Sequence, residues 1–248
     1  MITEQHLYLI IPAAGQSRRM GTQTSKLLLP VAGIPVLART LILFQEYRNT
    51  NPALIIHGVI AASPDLIPVI ETLCRDHRIT IIEDKTHGGA TRQQSVHNAI
   101  RAAFGLPRPP QADDIVFVHD GARCLTETTT LNSCLHDAKK YGACTAAVSV
   151  KDTIKTIEST GSTKVSATPN RETLYAVQTP QAFTWDILRQ SYEHAEEHAI
   201  TGTDDTSLAE AMGHPVYLSQ GSYTNIKITT PEDLILAEAI LAQQSEKT

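Results

Sequence analysis

Residues 7–21 read LYLIIPAAGQSRRMG, an apolar run that passes directly into a loop of small and basic side chains. The run at 7–11 has no polar face, which is typical of a strand that is buried on both sides in a parallel sheet. In open parallel sheets, ligands bind where the strands end and loops lead into helices. We therefore predict that the loop starting at Pro12 forms part of a binding site.

The same alternation of short apolar runs and stretches of helical period extends along most of the chain. Buried strands separated by helices predict an α/β fold with a Rossmann-like, mostly parallel sheet, flanked by helices and built with right-handed crossovers. Beyond 7–11, strands are predicted at 54–61, 79–82, 115–118, 143–150 and 215–218. Helices are predicted at 36–48, 66–77, 92–104, 128–141, 185–198, 205–212 and 232–243.

One stretch, at about 155–176, interrupts this alternation. It is polar, rich in Thr and Ser and without helical periodicity. Thr168-Pro169-Asn170 within it is a turn signal. We predict two short strands or a β-arm that projects from the main sheet, and a single domain over residues 1–248 that includes this arm.

The composition excludes several classes of protein. The 248 residues are 42% hydrophobic, which is enough for a sizeable core. A net charge of −5 argues against electrostatic binding of nucleic acid, and 5% aromatic residues argue against a surface on which bases stack. The apolar run at 7–14 is too short to span a membrane, and the four cysteines form no Cys-x-x-Cys. We predict a cytoplasmic protein with reduced thiols and neither a nucleic-acid nor a membrane partner.

The first loop has the composition of an anion site. Arg18 and Arg19 follow Gly15, and Lys26 comes after a polar stretch. Small residues let backbone amides approach an anion closely, and the cations neutralise a polyphosphate. The spacing of Gly15, Gly21 and Lys26 fits neither Gly-x-x-x-x-Gly-Lys-Ser/Thr nor Gly-x-Gly-x-x-Gly.

Two further loops follow predicted strands. Residues 88–96 (GGATRQQSV) enter a helix whose first N–H groups are available to an anion or a base edge. Asp120 ends an apolar strand beside cationic loops, and we interpret it as a ligand of Mg²⁺, which commonly takes one or two carboxylates plus substrate phosphates. Zinc spacing and a Gly-x-Ser-x-Gly nucleophile motif are both absent from the sequence. The pattern favours phosphoryl or nucleotidyl transfer by positioning and electrostatics over covalent catalysis.

Together these loops and several shorter motifs resemble the sugar-phosphate nucleotidyltransferases. More closely, they resemble the 2-C-methyl-D-erythritol 4-phosphate cytidylyltransferases of the non-mevalonate isoprenoid pathway. The motifs occur in the same order as in that family, from residue 10 to residue 241. The opening loop is shared by many nucleotidyltransferases. The narrower resemblance rests on the loops at 88–96 and 119–123 and on Asp-Thr-Ile-Lys at 152–155, Gln-Thr-Pro-Gln-x-Phe at 178–183, Thr-Asp-Asp at 203–205 and Asn-Ile-Lys-Ile-Thr-x-Pro-Glu-Asp at 225–233.

The resemblance implies transfer of CMP from CTP to 2-C-methyl-D-erythritol 4-phosphate, with Mg²⁺ or another divalent cation. It implies that Arg19 and Lys26 stabilise the charged transition state, that Arg171 and Lys227 position the acceptor, and that Asp120 holds the metal. Substrates would be bound by Pro12, Ala13, Ala14, Gly15, Gly88, Gly89, Arg92, Ser95, Asp120, Gly121, Arg123, Thr153, Thr179 and Thr203. In the family, the arm that carries the arginine reaches a neighbouring subunit, so a homodimer is expected.

A few positions depart from the family pattern. Cys124 stands where the family usually has Pro, Gly121 stands where Ala is common, and Ser17 replaces the second glycine of the first loop. None of these changes removes a charged group.

The main alternative is a ribitol 5-phosphate cytidylyltransferase of the same superfamily, although Lys155 and Arg171 favour the erythritol enzyme. A CMP-sugar synthetase fits the motifs at 88–96 and 178–183 poorly. A non-catalytic nucleotide-binding regulator would be expected to lose Lys26, Asp120 or Lys227, and the sequence has all three.

Overall fold

The computed structural model describes residues 4–15 and 25–245, and these ranges contain eleven strands and seven α-helices. The strands are β1 (Gln5–Pro12), β2 (Pro30–Val31), β3 (Ile34–Pro35), β4 (Leu54–Ala62), β5 (Ile82–His87), β6 (Ile115–Val118), β7 (Ala143–Ser149), β8 (Thr156–Ile157), β9 (Val165–Ala167), β10 (Tyr175–Thr184) and β11 (Tyr217–Gln220). The helices are α1 (Val36–Thr50), α2 (Ile67–Asp76), α3 (Arg92–Ala103), α4 (Thr128–Tyr141), α5 (Trp185–Glu197), α6 (Asp205–Ala211) and α7 (Pro231–Ser245).

Seven of these strands form one sheet in the order β11-β7-β10-β6-β1-β4-β5. β1 pairs in parallel with β4 and β6, β4 with β5, and β11 with β7, whereas β10 is antiparallel to both β6 and β7. The predicted mostly parallel sheet is confirmed. Ile10 of β1 pairs with Val118 of β6, so the loops that follow these two strands leave the sheet side by side.

Helices cover both faces of the sheet. Leu7, Leu9 and Ile11 of β1 join the apolar cluster under α1, α2, α4 and α7, whereas Tyr8 and Ile10 join the cluster under α3, α5 and α6. All five side chains are fully buried, and each large apolar side chain contributes about 1.5–3 kcal/mol by leaving water. This two-sided burial explains why the run at 7–11 has no polar face. Within the described ranges, no helix is long and apolar enough to cross a membrane.

The strand predicted at 79–82 is wrong in its position, because β5 occupies Ile82–His87 instead. Ile79 and Ile81 are buried in the connection that precedes β5, where they pack into the core. β5 lies at the edge of the sheet and pairs with β4. An edge strand is commonly polar, so the sequence of β5 gives no apolar signal.

The sequence does not predict β10 as a strand, because its motif at 178–183 contains Pro180. Proline has no N–H to donate to a ladder and usually marks an edge or an irregularity. Here the register between β10 and β7 shifts between Val177 and Gln181, so the strand continues past the proline.

The polar stretch at about 155–176 contains β8 and β9, which pair antiparallel with each other. The residues of both strands are exposed. The two short strands predicted here are confirmed, while a projecting arm and a single-domain organisation stay predictions.

Candidate active site

A cavity of about 690 Å³ opens beside the carboxyl ends of β1 and β6. The loops after β1, β5 and β6 contribute to it, as the position of chemistry in a parallel sheet predicts. It is lined by Pro12, Ala13, Ala14, Gly15, Lys26, Leu27, Ala90, Thr91, Arg92, Ser95, Asp120, Gly121, Ala122 and Lys227.

Close backbone packing shapes the cavity wall at the loop after β5, which leads into α3. The Gly89 N–H donates to the Ser95 hydroxyl at 3.0 Å. A Cβ added to Gly88 would lie 2.1 Å from the Ala14 Cβ and 3.1 Å from the Ser95 Oγ. Only glycine therefore lets the loop after β5 approach the loop after β1 this closely. The approach brings the N-terminus of α3, which favours anions, to the cavity.

The carboxylate of Asp120 lies among three cations at the cavity. Its Oδ2 is 2.8 Å from the Lys227 Nζ and 3.8 Å from the Arg123 Nε, and its Oδ1 accepts from the Arg92 Nε at 3.2 Å. Burial on its own would raise the pKa of Asp120, but the charges of Arg92 and Lys227 outweigh it and hold that pKa well below its ordinary value. Asp120 is therefore a carboxylate throughout the physiological pH range.

Arg92 is shared between Asp120 and a second, fully buried carboxylate. The Arg92 Nη2 donates to the Asp205 Oδ2 at 2.7 Å, and the Tyr192 hydroxyl donates to the Asp205 Oδ1 at 2.5 Å. Burial acts to lower the pKa of Arg92, but Asp205 and Asp120 together raise it above its ordinary value. This guanidinium thus ties the start of α3 to the start of α6.

A buried hydrogen-bond chain supports Asp120 from beneath. The Asp120 N–H donates to the Thr179 hydroxyl at 3.1 Å, and Thr179 Oγ1 lies 3.2 Å from the His119 Nδ1. The His119 Nε2 is 3.0 Å from the Arg123 carbonyl, which can only accept. Burial lowers the pKa of His119 to about 4, so at neutral pH Nε2 carries the proton and Nδ1 accepts from Thr179. The backbone on both sides of the Asp120 carboxylate is therefore fixed.

The structure brings together many of the residues singled out in the sequence. Those that line the cavity are Pro12, Ala13, Ala14, Gly15, Lys26, Arg92, Ser95, Asp120, Gly121 and Lys227. Gly88 and Gly89 lie directly behind Ala14 and Ser95, in the wall of the cavity.

Other predicted site residues lie elsewhere. Arg123 and Thr179 sit behind Asp120, and Thr179 is buried. Thr153, Arg171 and Thr203 are exposed and do not line this cavity. The Arg171 Nη1 donates to the Lys151 carbonyl at 2.8 Å. Arg19 lies outside the described residues, so its role stays a prediction.

Several residues that build the site were assigned no individual role from the sequence, although Ala90, Thr91 and Ala122 lie in the loops at 88–96 and 119–123. Leu27, Ala90, Thr91 and Ala122 line the cavity, and Tyr192 and Asp205 anchor Arg92. Asp205 lies within the Thr-Asp-Asp motif at 203–205, which is the one signal that could have pointed to it. Tyr192 lies in an ordinary helix-period stretch and gives no signal.

Comparison with known proteins identifies the family. A model of the 2-C-methyl-D-erythritol 4-phosphate cytidylyltransferase family matches residues 7–243. A protein of that name from Desulforamulus reducens is 38% identical over 245 residues, covering 97% of each chain. Another from Synechococcus elongatus is 41% identical over 238 residues, covering 96% of this chain and 97% of the relative.

Solved structures agree with the sequence relatives. A 4-diphosphocytidyl-2C-methyl-D-erythritol synthase from Anaerococcus prevotii matches with a TM-score of 0.79 at 29% identity, covering 96% of this chain and 99% of that one. A 2-C-methyl-D-erythritol 4-phosphate cytidylyltransferase from Thermus thermophilus matches with a TM-score of 0.74 at 30% identity, covering 95% and 98%. This chain belongs to the 2-C-methyl-D-erythritol 4-phosphate cytidylyltransferase family.

Proposed function

We propose that this protein transfers the CMP group of CTP to 2-C-methyl-D-erythritol 4-phosphate. The products are 4-diphosphocytidyl-2-C-methyl-D-erythritol and pyrophosphate, and the reaction is a cytoplasmic step of the non-mevalonate isoprenoid pathway. The observation that carries the proposal is the convergence of Lys26, Arg92, Lys227 and Asp120 on one cavity, in a chain of this family. The comparisons do not favour a ribitol 5-phosphate enzyme.

The chemistry requires charge stabilisation rather than a covalent intermediate. An oxygen of the acceptor phosphate attacks the α-phosphorus of CTP in line, and the bond from that phosphorus to the pyrophosphate oxygen breaks. Negative charge develops on the oxygens of the leaving group and around the phosphorus. Lys26 and Lys227 line the cavity as fixed cations, and Arg19 joins them in this proposal. Removing one preorganised donor of this kind typically costs about 10²–10³ in rate.

The nucleotide half of the cavity favours CTP over a purine nucleotide. Its wall at Ala14 and Ser95 is backed by Gly88 and Gly89, and the close approach of Gly88 to Ala14 leaves no space between the two loops. A pocket built from backbone excludes a larger base by size and reads the cytosine edge by hydrogen bonds. Ser95 lines the same wall and is held by its bond from Gly89.

Asp120 is the residue that would hold Mg²⁺. Its carboxylate lines the cavity and stays ionised, and Mg²⁺ commonly takes one or two carboxylates plus substrate phosphates, so the donor fits the ion. In the described part of the chain, no three His, Cys, Asp or Glu side chains group as a ready metal site, so phosphate and water oxygens would complete the set. When bound, the ion would neutralise charge on the substrate phosphates.

The acceptor half of the site is completed by a second copy of the chain in this proposal. Arg171 and Thr153 are exposed and lie outside the cavity that holds Asp120 and Lys227. Ile157 and Val165, in the β8–β9 pair that precedes Arg171, are 46% and 50% exposed. Exposed apolar side chains of this kind suit a protein interface. A homodimer through this region would bring Arg171 to a partner's cavity, as the family resemblance implies.

The experiment that tests the function is pyrophosphate release from CTP and Mg²⁺, with 2-C-methyl-D-erythritol 4-phosphate and ribitol 5-phosphate in parallel. We expect release with the former alone. Lys227→Ala should raise the acceptor KM with little change in CTP affinity, and Lys139→Ala, which removes a cation from α4, serves as the matched control. Release with ribitol 5-phosphate alone would overturn the acceptor assignment, and CTP binding without release with either acceptor would overturn the enzymatic function.

A further inference from the structure

Asn225 is fully buried and uses both ends of its side-chain amide. Its Nδ2 donates to the Thr179 carbonyl at 2.9 Å and to the Gln178 Oε1 at 3.3 Å. Its Oδ1 accepts from the Thr126 hydroxyl at 2.8 Å. Its backbone carbonyl accepts from the Arg123 Nη1 at 2.7 Å. A buried polar network that is satisfied in this way fixes the segments that it joins.

These bonds join the segments that carry the charged groups of the cavity. Arg123 and Thr126 lie in the loop after β6, which also carries Asp120. Thr179 lies in β10 and accepts from the Asp120 N–H. Lys227 follows Asn225 by two residues, and its Nζ lies 2.8 Å from the Asp120 Oδ2. The spacing between the Lys227 ammonium and the Asp120 carboxylate therefore depends on where Asn225 holds its own segment.

We infer that Asn225 is a positioning residue that sets Lys227 against Asp120. It does not line the cavity and acts through its neighbours. Alanine at this position would remove the side-chain bonds to the Thr179 carbonyl and from the Thr126 hydroxyl, while the Arg123 bond to the backbone carbonyl and the bond from the Ile228 N–H to the Ala122 carbonyl at 2.9 Å would remain. The segment of Lys227 would then shift against β10, which also holds the Asp120 N–H, and the spacing of the Lys227 ammonium from the Asp120 carboxylate would change. A misplacement of about 1 Å at reacting groups can cost about 10²-fold in rate. The catalytic part of this inference rests on the proposed function.

The test compares Asn225→Ala with Gln45→Ala, which removes a buried side-chain amide that does not line the cavity. Gln45 donates to the Asn49 Oδ1 at 3.1 Å and accepts from the Thr80 N–H at 2.8 Å. Turnover, CTP affinity and melting temperature are measured for both variants. A second readout needs no turnover: limited acetylation by acetic anhydride, with the rate at Lys227 read by mass spectrometry against Lys139 in the same sample.

We expect Asn225→Ala to lose about 10²-fold in kcat with CTP affinity nearly unchanged, because the wall at Gly88 and Ser95 is untouched. Lys227 should be acetylated severalfold faster, and Gln45→Ala should change neither value. Wild-type kcat and labelling in Asn225→Ala would overturn the inference, as would the same losses in Gln45→Ala at an equal fall in melting temperature.

A second variant and the labelling readout cover the cases in which Asn225→Ala does not fold or the wild-type protein shows no turnover. If Asn225→Ala does not fold, Thr126→Val takes its place. It keeps the shape of the side chain but removes the hydroxyl that donates to Asn225 at 2.8 Å and to the Arg123 carbonyl at 3.2 Å, and it should move kcat and Lys227 labelling in the same direction. If the wild-type protein shows no turnover, the proposed function fails, while the labelling of Lys227 still supports or overturns the role of Asn225.

Discussion

Replacing Gly88 by alanine should disturb both the stability of the protein and its nucleotide pocket. The added Cβ would lie 2.1 Å from the Ala14 Cβ. Two carbon atoms pack best at about 3.5–4.0 Å, so the loops after β1 and β5 would have to separate by about 1.5 Å. Overpacking of this kind typically costs about 1–3 kcal/mol. In a chain of this length, each kcal/mol lowers the melting temperature by about 2–4 °C.

We expect Gly88→Ala to weaken CTP binding about tenfold, which corresponds to about 1.4 kcal/mol, because the displaced loop moves the wall at Ala14 and Ser95. Calorimetric titration with CTP and thermal unfolding give the two values. Gly105→Ala is the control, since its Cβ would meet the Ala102 carbonyl at 3.3 Å and Gly105 does not line the cavity. The double variant Ala14→Gly, Gly88→Ala removes the methyl that clashes, and should recover much of the loss.

Two results would refute the packing argument. The first is a Gly88→Ala protein that binds CTP as tightly as the wild type. The second is a double variant that binds no better than the single one, because the closest contact that remains for the new Cβ, to the Ser95 Oγ at 3.1 Å, requires only a small adjustment.

Three further predictions concern charge and buried polar groups. Lys26→Ala should lower kcat by about 10²–10³ with a smaller loss of CTP affinity, because its charge is needed most in the transition state; kinetics and titration check this, and equal losses would contradict it. Tyr192→Phe removes the donor to the buried Asp205 carboxylate and should lower the free energy of unfolding by about 1.5–3 kcal/mol, so an unchanged urea midpoint would argue against that bond. Burial lowers the pKa of His119 from 6.5 to about 4, so the unfolded chain binds its proton first as the pH falls. His119 therefore contributes about 3 kcal/mol to the free energy of unfolding above pH 6.5, and this contribution is lost as the pH falls toward 4. Urea unfolding across this range measures it, and His119→Asn should flatten that part of the plot of stability against pH.

Local signals in the sequence were sufficient for most of the elements. The strand at 115–118 and the helix at 128–141 lie as predicted, because their bounds depend on apolar period and on nearby turn residues. α7 begins at Pro231, and the Asp233 carboxylate accepts from the Thr229 and Thr230 N–H groups at 2.7 and 2.8 Å. Such a helix start is encoded within a few residues, so the sequence alone reveals it.

The contacts that complete the site are not local, and no spacing rule predicts them. Arg92 and Asp205 are 113 positions apart, and Asn225 lies 47 positions from Gln178. The sequence places Arg92 and Asp120 near the cavity because both follow strands of one sheet. It does not reveal that Asp205 shares the guanidinium, because that pairing depends on how α5 and β7 place the start of α6.

The position of β6 has a consequence for the dynamics of the two halves of the site. β6 lies between β1 and β10, and all its residues are buried. Amides in such a strand exchange with deuterium only through openings close to global unfolding, whereas the exposed β8–β9 pair exchanges through small local openings. The strand that leads to Asp120 thus opens only when the whole fold opens, whereas the segment that leads to Arg171 can open locally. In deuterated buffer, the amides of β6 should stay protected longer than those of β8 and β9.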